Sequence, residues 1–206
     1  PHFLYNTLDS IKWIAVIQKN SGIVKAVTAL SGLLKNMAKG FHEKVTMEKE
    51  LEFVRDYVTI EKLKYAELFD LQIQMDDPEL ARAKIVKLTL QPLVENAIFS
   101  GIEPSGKSGM ILIHIYREDG LMYLVVRDDG VGIEPEKLKH LLEDTEKLKG
   151  DRMSSIGIAN VDRRIKLTYG EEYGLSITSE VGVYTEITIV VPLEFETEGL
   201  PALYKE

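Results

Sequence analysis

Residues 127–133 read Arg-Asp-Asp-Gly-Val-Gly-Ile, "RDDGVGI", directly after the apolar run "LMYLVV" (121–126). The run has the length and composition of a strand. Asp128 therefore stands at a strand end, with Gly130 and Gly132 at alternate positions beyond it. A carboxylate placed there can accept a hydrogen bond from an exocyclic amine. Glycines let backbone approach a flat ring closely. The same seven residues also serve as an ordinary turn that closes a hairpin, so their surroundings have to choose between the two uses.

Working outward, "MILIHIYRED" (110–119) and "LMYLVVRDDG" (121–130) flank "DGL" and read as a β-hairpin. Upstream, "LQIQM" (71–75) alternates as a strand does, and "KIVKLTLQPLVENAIFSGI" (84–102) contains a helix around 90–100. In that helix Glu95 and Asn96 interrupt an apolar surface, an expensive arrangement without a purpose. A carboxylate and a carboxamide oxygen are hard ligands suited to Mg²⁺ on nucleotide phosphates. A helix rim, with Asn96 capping a neighbouring loop, is the plainer reading. Downstream, a charged helix-like segment covers 135–149, and "IGIANVDRRIKLTYG" (156–170) is a helix ended by Gly170. Gly157 near its start would allow backbone N–H groups to meet phosphate oxygens. Arg163 and Arg164 are either phosphate contacts or solvated charges. "GLSITSE" (174–180) and "TEITIVVPL" (185–193) form a last strand pair, and "EFETEGLPALYKE" (194–206) shows no clear element. The pattern predicts an α+β sandwich, one sheet with helices on one face.

The first 45 residues differ in kind. "PHFLYNTL" (1–8) opens a helix, with Pro1 suited to its first turn. At about 100° per residue, Leu4, Leu8, Ile11 and Ala15 form one stripe, flanked by Phe3 and Ile14. "KNSG" (19–22) is a stop, with Gly22 as the expected C′ residue, and "IVKAVTALSGLLKNMA" (23–38) is a second helix. The two make an antiparallel hairpin, and pairing with a second copy into a four-helix bundle would bury its stripe. His2, Asn6, Asp9 and Trp13 fall on the opposite side of the wheel. His2 is thus either part of a solvated face or an exposed, modifiable imidazole. "TMEKELEFVRDYVTIEKLKYAELF" (46–69) is a third helix, N-capped by Thr46, with Glu48 and Glu50 in its first turn.

The 206 residues carry a net charge of −8, which argues against a nucleic-acid surface. The absence of cysteine excludes disulfides and thiolate metal sites. No apolar run is long enough to span a membrane. The start without methionine creates the expectation of a longer protein with segments upstream.

The order of these features resembles the Bergerat (GHKL) ATP-binding fold of histidine kinases, gyrase-type ATPases, Hsp90 and MutL. "PHFLYNTL", "LQPLVENAI" (90–98) and "NVDRRIKLTYG" (160–170) together are similar to the LytS/YesM-type sensor histidine kinases, from residue 1 to about 193. The resemblance implies an N-terminal antiparallel helical hairpin (1–45) for dimerisation and phosphoacceptance and a connecting helix (46–65). A GHKL α/β sandwich (66–193) and a C-terminal tail (194–206) would follow. It implies a protein histidine kinase that transfers the γ-phosphoryl group of ATP to His2, then to an aspartate of a response-regulator receiver domain. Asn96 would ligate Mg²⁺, with Glu95 beside it. Asp128 would read adenine, and Gly130, Gly132 and Ile133 would form the loop under it. Ser155, Gly157 and Thr185 would complete the nucleotide site, and 134–154 would be the lid. Asn6 or Asp9 would orient His2, and Asn6 could also position a water that hydrolyses a partner's aspartyl phosphate. The setting implied is the cytoplasmic side of a bacterial membrane, with attachment through upstream segments.

Four departures from the family pattern stand out. A general-base glutamate of gyrase-like members is replaced by Pro92, which cannot take a proton and counts against hydrolysis. Phe99 and Ser100 stand where Lys-His is common, Ser155 replaces the first glycine before Gly157, and Tyr184 replaces a glycine in "GVYT" (182–185). Pro92 bears only on a water-using ATPase; the last three motivate a second expectation, a degenerate member that acts as a dimeric signalling scaffold with weak or no nucleotide binding.

Overall fold

A computed structural model describes residues 2–37, 43–138 and 153–195. Helix α1 (His2–Ile17) and helix α2 (Ser21–Met37) form the hairpin. The turn between them differs in detail from expectation. Lys19 takes the left-handed position (φ 55°), Asn20 N–H reaches Ala15 O at 2.9 Å, and Lys19 N–H reaches Val16 O at 3.0 Å. That pair of bonds is a Schellman closure. The Asn20 side chain then accepts from Ile23 N–H at 3.1 Å and caps α2. Gly22 therefore lies inside α2, because Asn20 does the capping one residue before the helix begins.

Strand β1 (Lys44–Thr46) leads into α3 (Met47–Lys64), whose N-cap is Thr46, accepting from Lys49 N–H at 3.3 Å. Strand β2 (Phe69–Met75), a 3₁₀ turn (Pro78–Arg82) and β3 (Lys84–Val86) follow. β3 pairs antiparallel with β1, a small ribbon that three-residue strands could not announce by periodicity. Helix α4 (Gln91–Asn96) runs on as a π-helical segment (Ala97–Ile102). The hairpin of β4 (Gly109–Glu118) and β5 (Leu121–Asp128) turns through Asp119 and Gly120, both at positive φ, as a two-residue primed turn requires. Helix α5 (Met153–Tyr169), β6 (Gly174–Glu180) and β7 (Tyr184–Pro192) complete the chain. α5 begins near 153 rather than 156. Most of the expected helix-like segment 135–149, most of the lid, and the tail from 196 lie outside the described residues.

The main sheet has the order β2-β4-β5-β7-β6, with β2 parallel to β4 and every other pair antiparallel. Its inner face carries Ile111, Ile113, Ile115, Leu124, Val126, Ile187 and Ile189, packed with α3, α4 and α5 into one core. Met47, Leu51, Val54 and Val58 of α3 belong to that core, and α3 also packs on α2. The outer face is polar and aromatic, with Tyr116 stacked on Tyr123 at 4.8 Å between ring centroids. The α+β architecture expected from the sequence is the one observed.

Candidate active site

β5 ends at Asp128, whose side chain turns inward and keeps only 3% of its surface in water. Burial pushes its carboxyl up to about 7, opposed by the Gly130 N–H it accepts at 3.0 Å. The glycines around it are demanded by contact. A Cβ on Gly130 would lie 2.2 Å from the carbonyl carbon of Gly101, and one on Gly101 would lie 2.3 Å from Asp128 Oδ1. Gly132 has φ +68°, and a Cβ there would meet Glu180 O at 2.3 Å. The glycines thus let three backbone segments close around one carboxylate. Ile133 is held through its N–H, which donates to Ser179 Oγ at 2.8 Å. Thr185, opposite Asp128 across β5–β7 and 3% exposed, places Oγ1 3.3 Å from the same Ser179 oxygen.

The helix carrying Asn96 spans this site. At its start Pro92 is the neighbour a Cβ on Gly157 would meet, at 3.6 Å; at its end Gly101 meets Asp128. Asn96 lies between these contacts, 7% exposed, and among the described residues its carboxamide has no hydrogen-bond partner. A carboxamide whose polar atoms reach solvent without a protein partner, on the helix that meets Asp128, fits an oxygen ligand to Mg²⁺. Glu95 turns elsewhere: the groups acting on its carboxyl are Tyr57 and Glu61 of α3, and burial followed by Glu61 raises its pKa.

Gly157 sits a full turn inside α5, where its N–H belongs to the helix. Phosphate-facing N–H groups would come from the first turn, which includes Ser155; the Ser155 side chain lies outside the described residues. Arg164 is neither a phosphate contact nor a solvated charge, since it is bonded to the Lys87 and Leu88 carbonyls. Tyr184 projects to the outer sheet face, 4.1 Å above Arg127, and Phe99 packs edge-on to Tyr65 at 5.9 Å.

On the hairpin, His2, Asn6 and Asp9 are exposed. Asn6 Nδ2 lies 3.2 Å from His2 Nδ1 and can donate to it. Asp9, two turns along, instead lines a cleft with Tyr5, Ser31, Gly32 and Lys35. Sequence reasoning missed Gly101 and Ser179. A glycine inside an apolar helical run is the signal that could have exposed Gly101; Ser179, in a short strand, carries none.

Comparison with known proteins bears on the family and the fold. The profile described as histidine kinase-, DNA gyrase B- and HSP90-like ATPase matches residues 82–195. The chain belongs to that family. The histidine kinase profile matches residues 1–69. Sensor histidine kinase YesM of Bacillus subtilis is 39% identical over 95% of the chain and 32% of its own length. Sensor histidine kinase BtsS of Escherichia coli is 32% identical, over 93% of the chain and 31% of its own length. The chain thus spans about a third of the length of these relatives. The histidine kinase domain of the Erythrobacter litoralis blue-light activated kinase has the same fold, with a TM-score of 0.52 over 94% of this chain and 96% of that one at 18% identity. The ThkA catalytic domain superposes at 0.56, covering 74% and 97% at 17% identity. Among the described residues no helix is long and apolar enough to cross a membrane.

Proposed function

We propose that the chain is the kinase portion of a two-component sensor, which moves the γ-phosphoryl group of ATP to His2 and from there to an aspartate of a response regulator. One observation carries this reading. The buried Asp128 cradle and the unpartnered Asn96 carboxamide lie on two elements that meet at Gly101, while His2 stands exposed on a separate hairpin. Asp128 would accept from the adenine amine, with Gly130, Gly132, Ile133 and Thr185 around the base. Asn96 would hold Mg²⁺, which supplies charge neutralisation at the phosphates when bound. The first turn of α5 would face them with its free N–H groups.

Imidazole is the side chain whose neutral form offers a nucleophilic nitrogen near neutrality. Asn6 Nδ2 can only donate to Nδ1, which leaves the proton of a neutral imidazole on Nε2. With the amide turned over, Oδ1 would accept from Nδ1–H, and that tautomer would expose the Nε2 lone pair. Attack forms an Nε2–P bond and breaks the bond from Pγ to the bridging oxygen, so ADP leaves with the electron pair. The hairpin would dimerise through its apolar stripe, and attachment to a bacterial membrane would run through segments outside this chain, with His2 on the cytoplasmic side. Nothing in the fold, the site or the comparisons favours the scaffold alternative.

Incubation with Mg²⁺ and ATP radiolabelled at the γ position, beside His2→Gln, tests the reading. Acid-labile, base-stable label that is lost in the variant is the expected result. Label retained in His2→Gln would remove His2 from the mechanism, and an unlabelled wild-type chain that also fails to bind ATP would return the scaffold.

A further inference from the structure

Glu50 and Arg164 take no part in the chemistry above, yet the first is withdrawn from water and the second is half-buried. Glu50, on α3, is fully buried. Its two oxygens accept the N–H groups of Leu88 at 2.9 Å and Leu90 at 2.8 Å, and the Thr89 amide faces the same carboxylate. Arg164, on α5, donates Nη1–H to Lys87 O at 3.1 Å and Nη2–H to Leu88 O at 2.6 Å. One side chain thus takes the amides, and the other the carbonyls, of the same turn, 87–90.

That turn is under conformational load. Leu88 has φ 58°, a left-handed backbone that costs a residue with a side chain about 1 kcal/mol or more. Such a conformation persists where its surroundings over-determine it. The turn also feeds directly into α4, and no side chain adjoining α4 in sequence caps it. Glu50 does so from another helix, through Leu90 N–H at the N-cap position. Asn96 follows six residues later on the same rigid helix. Apolar side chains would fill this space at lower desolvation cost, so a buried carboxylate beside a half-buried guanidinium points to a gain in orientation.

On the nucleotide reading given above, we infer that Glu50 and Arg164 are positioning residues for Asn96. They grip the 87–90 turn from opposite sides, so that the metal ligand's place is set jointly by α3 and α5. A shift of α3, which packs on the hairpin, is thereby passed to the metal site through the 87–90 turn as well as through its direct packing on α4.

The test uses the whole chain, with Glu50→Gln, Arg164→Lys and, as a stability control in the sheet core, Ile113→Val. ATP affinity is measured with Mg²⁺ and with EDTA, beside amide hydrogen exchange over 88–98 and urea denaturation. The expected result for both clamp variants is a loss of roughly tenfold in Mg–ATP affinity, the scale for a group that supports a metal ligand. Metal-free affinity should change less than about twofold, the control should keep both, and the amides of Leu88 and Leu90 should exchange faster. Equal losses with and without Mg²⁺, in step with stability as in the control, would reduce the pair to a structural role and overturn the inference. If Glu50→Gln does not fold, Arg164→Lys decides alone. A wild-type chain that binds no ATP would fail the nucleotide reading instead; exchange over 93–98 would then decide the clamp, and unchanged protection in the variants would overturn it.

Discussion

Asp128 receives a single N–H, from Gly130, and lies beside the like charge of Asp129. That is poor compensation for a buried carboxylate, and its value rises from 3.8 to about 7. A folded-state value above the unfolded one means that, between these limits, the folded chain holds a proton the unfolded chain has released. Stability therefore falls as pH rises through this window, and the full loss is present above about 7. Asp128→Asn removes it. The variant should be more stable than wild type by roughly 4 kcal/mol above the window and should match it below. Its ATP affinity should drop sharply, since the carboxylate that reads the amine is gone. Urea titrations across pH check the first statement and calorimetric titration with ATP the second. A variant less stable than wild type above the window would show that the carboxylate is well solvated. Asp128 was legible because strand periodicity ends one residue before it. The environment that raises its value was not, because Gly101, which closes over it, lies 27 positions upstream.

Among the elements, the helix from Gln91 to Ile102 carries both ends of the site. Its last turn widens to π geometry as Gly101 comes against Asp128. Such bulges cluster at functional sites. Two alanine substitutions separate its roles. Gly101→Ala pushes a methyl against the tip of the Asp128 side chain, which can swing; Gly130→Ala pushes one into the Gly101 backbone, which cannot. Gly101→Ala should cost about 1 kcal/mol of stability and most of the ATP affinity, while Gly130→Ala should cost about 3 kcal/mol or more. Chemical denaturation paired with ATP titration checks both; equal stability losses would mean that the helix end yields to either methyl. The helix, the two hairpins and Thr46 as a cap were legible, since each is encoded within a few residues. The β1–β3 ribbon and the grip on 87–90 were not. Their partners are 38 to 77 positions apart, and Glu50 reads as a first-turn acid and Arg164 as a phosphate contact or a solvated charge.

For the whole molecule, the unfinished surface is on the hairpin. Leu8 and Ala15 are buried against α2, but Leu4, Ile11 and Ile14 of the same side keep 44%, 41% and 55% of their surface exposed. Ile23 and Leu30 of α2 remain 41% and 39% exposed. A stripe that continues past its own partner helix calls for a second pair of helices, and a second copy supplies them with matching stripes. The sequence wheel predicted both this stripe and the exposure of His2 on the other side, because helical spacing alone determines them. Which copy's His2 meets which nucleotide site depends on the hand of the bundle, a property of two chains that one chain's periodicity does not encode. Replacing Ile11 and Ile14 together with Glu would place four carboxylates in the shared core. The double variant should sediment as a monomer where wild type sediments as a dimer. Its ATP affinity should stay within about twofold of wild type, since neither side chain belongs to the sandwich core. If His2 is labelled across the dimer, its labelling should become second order in protein concentration. A variant that remains dimeric would move the interface off this stripe, and a wild-type chain that is monomeric at labelling concentrations while still labelled would show that one copy's hairpin can reach its own nucleotide.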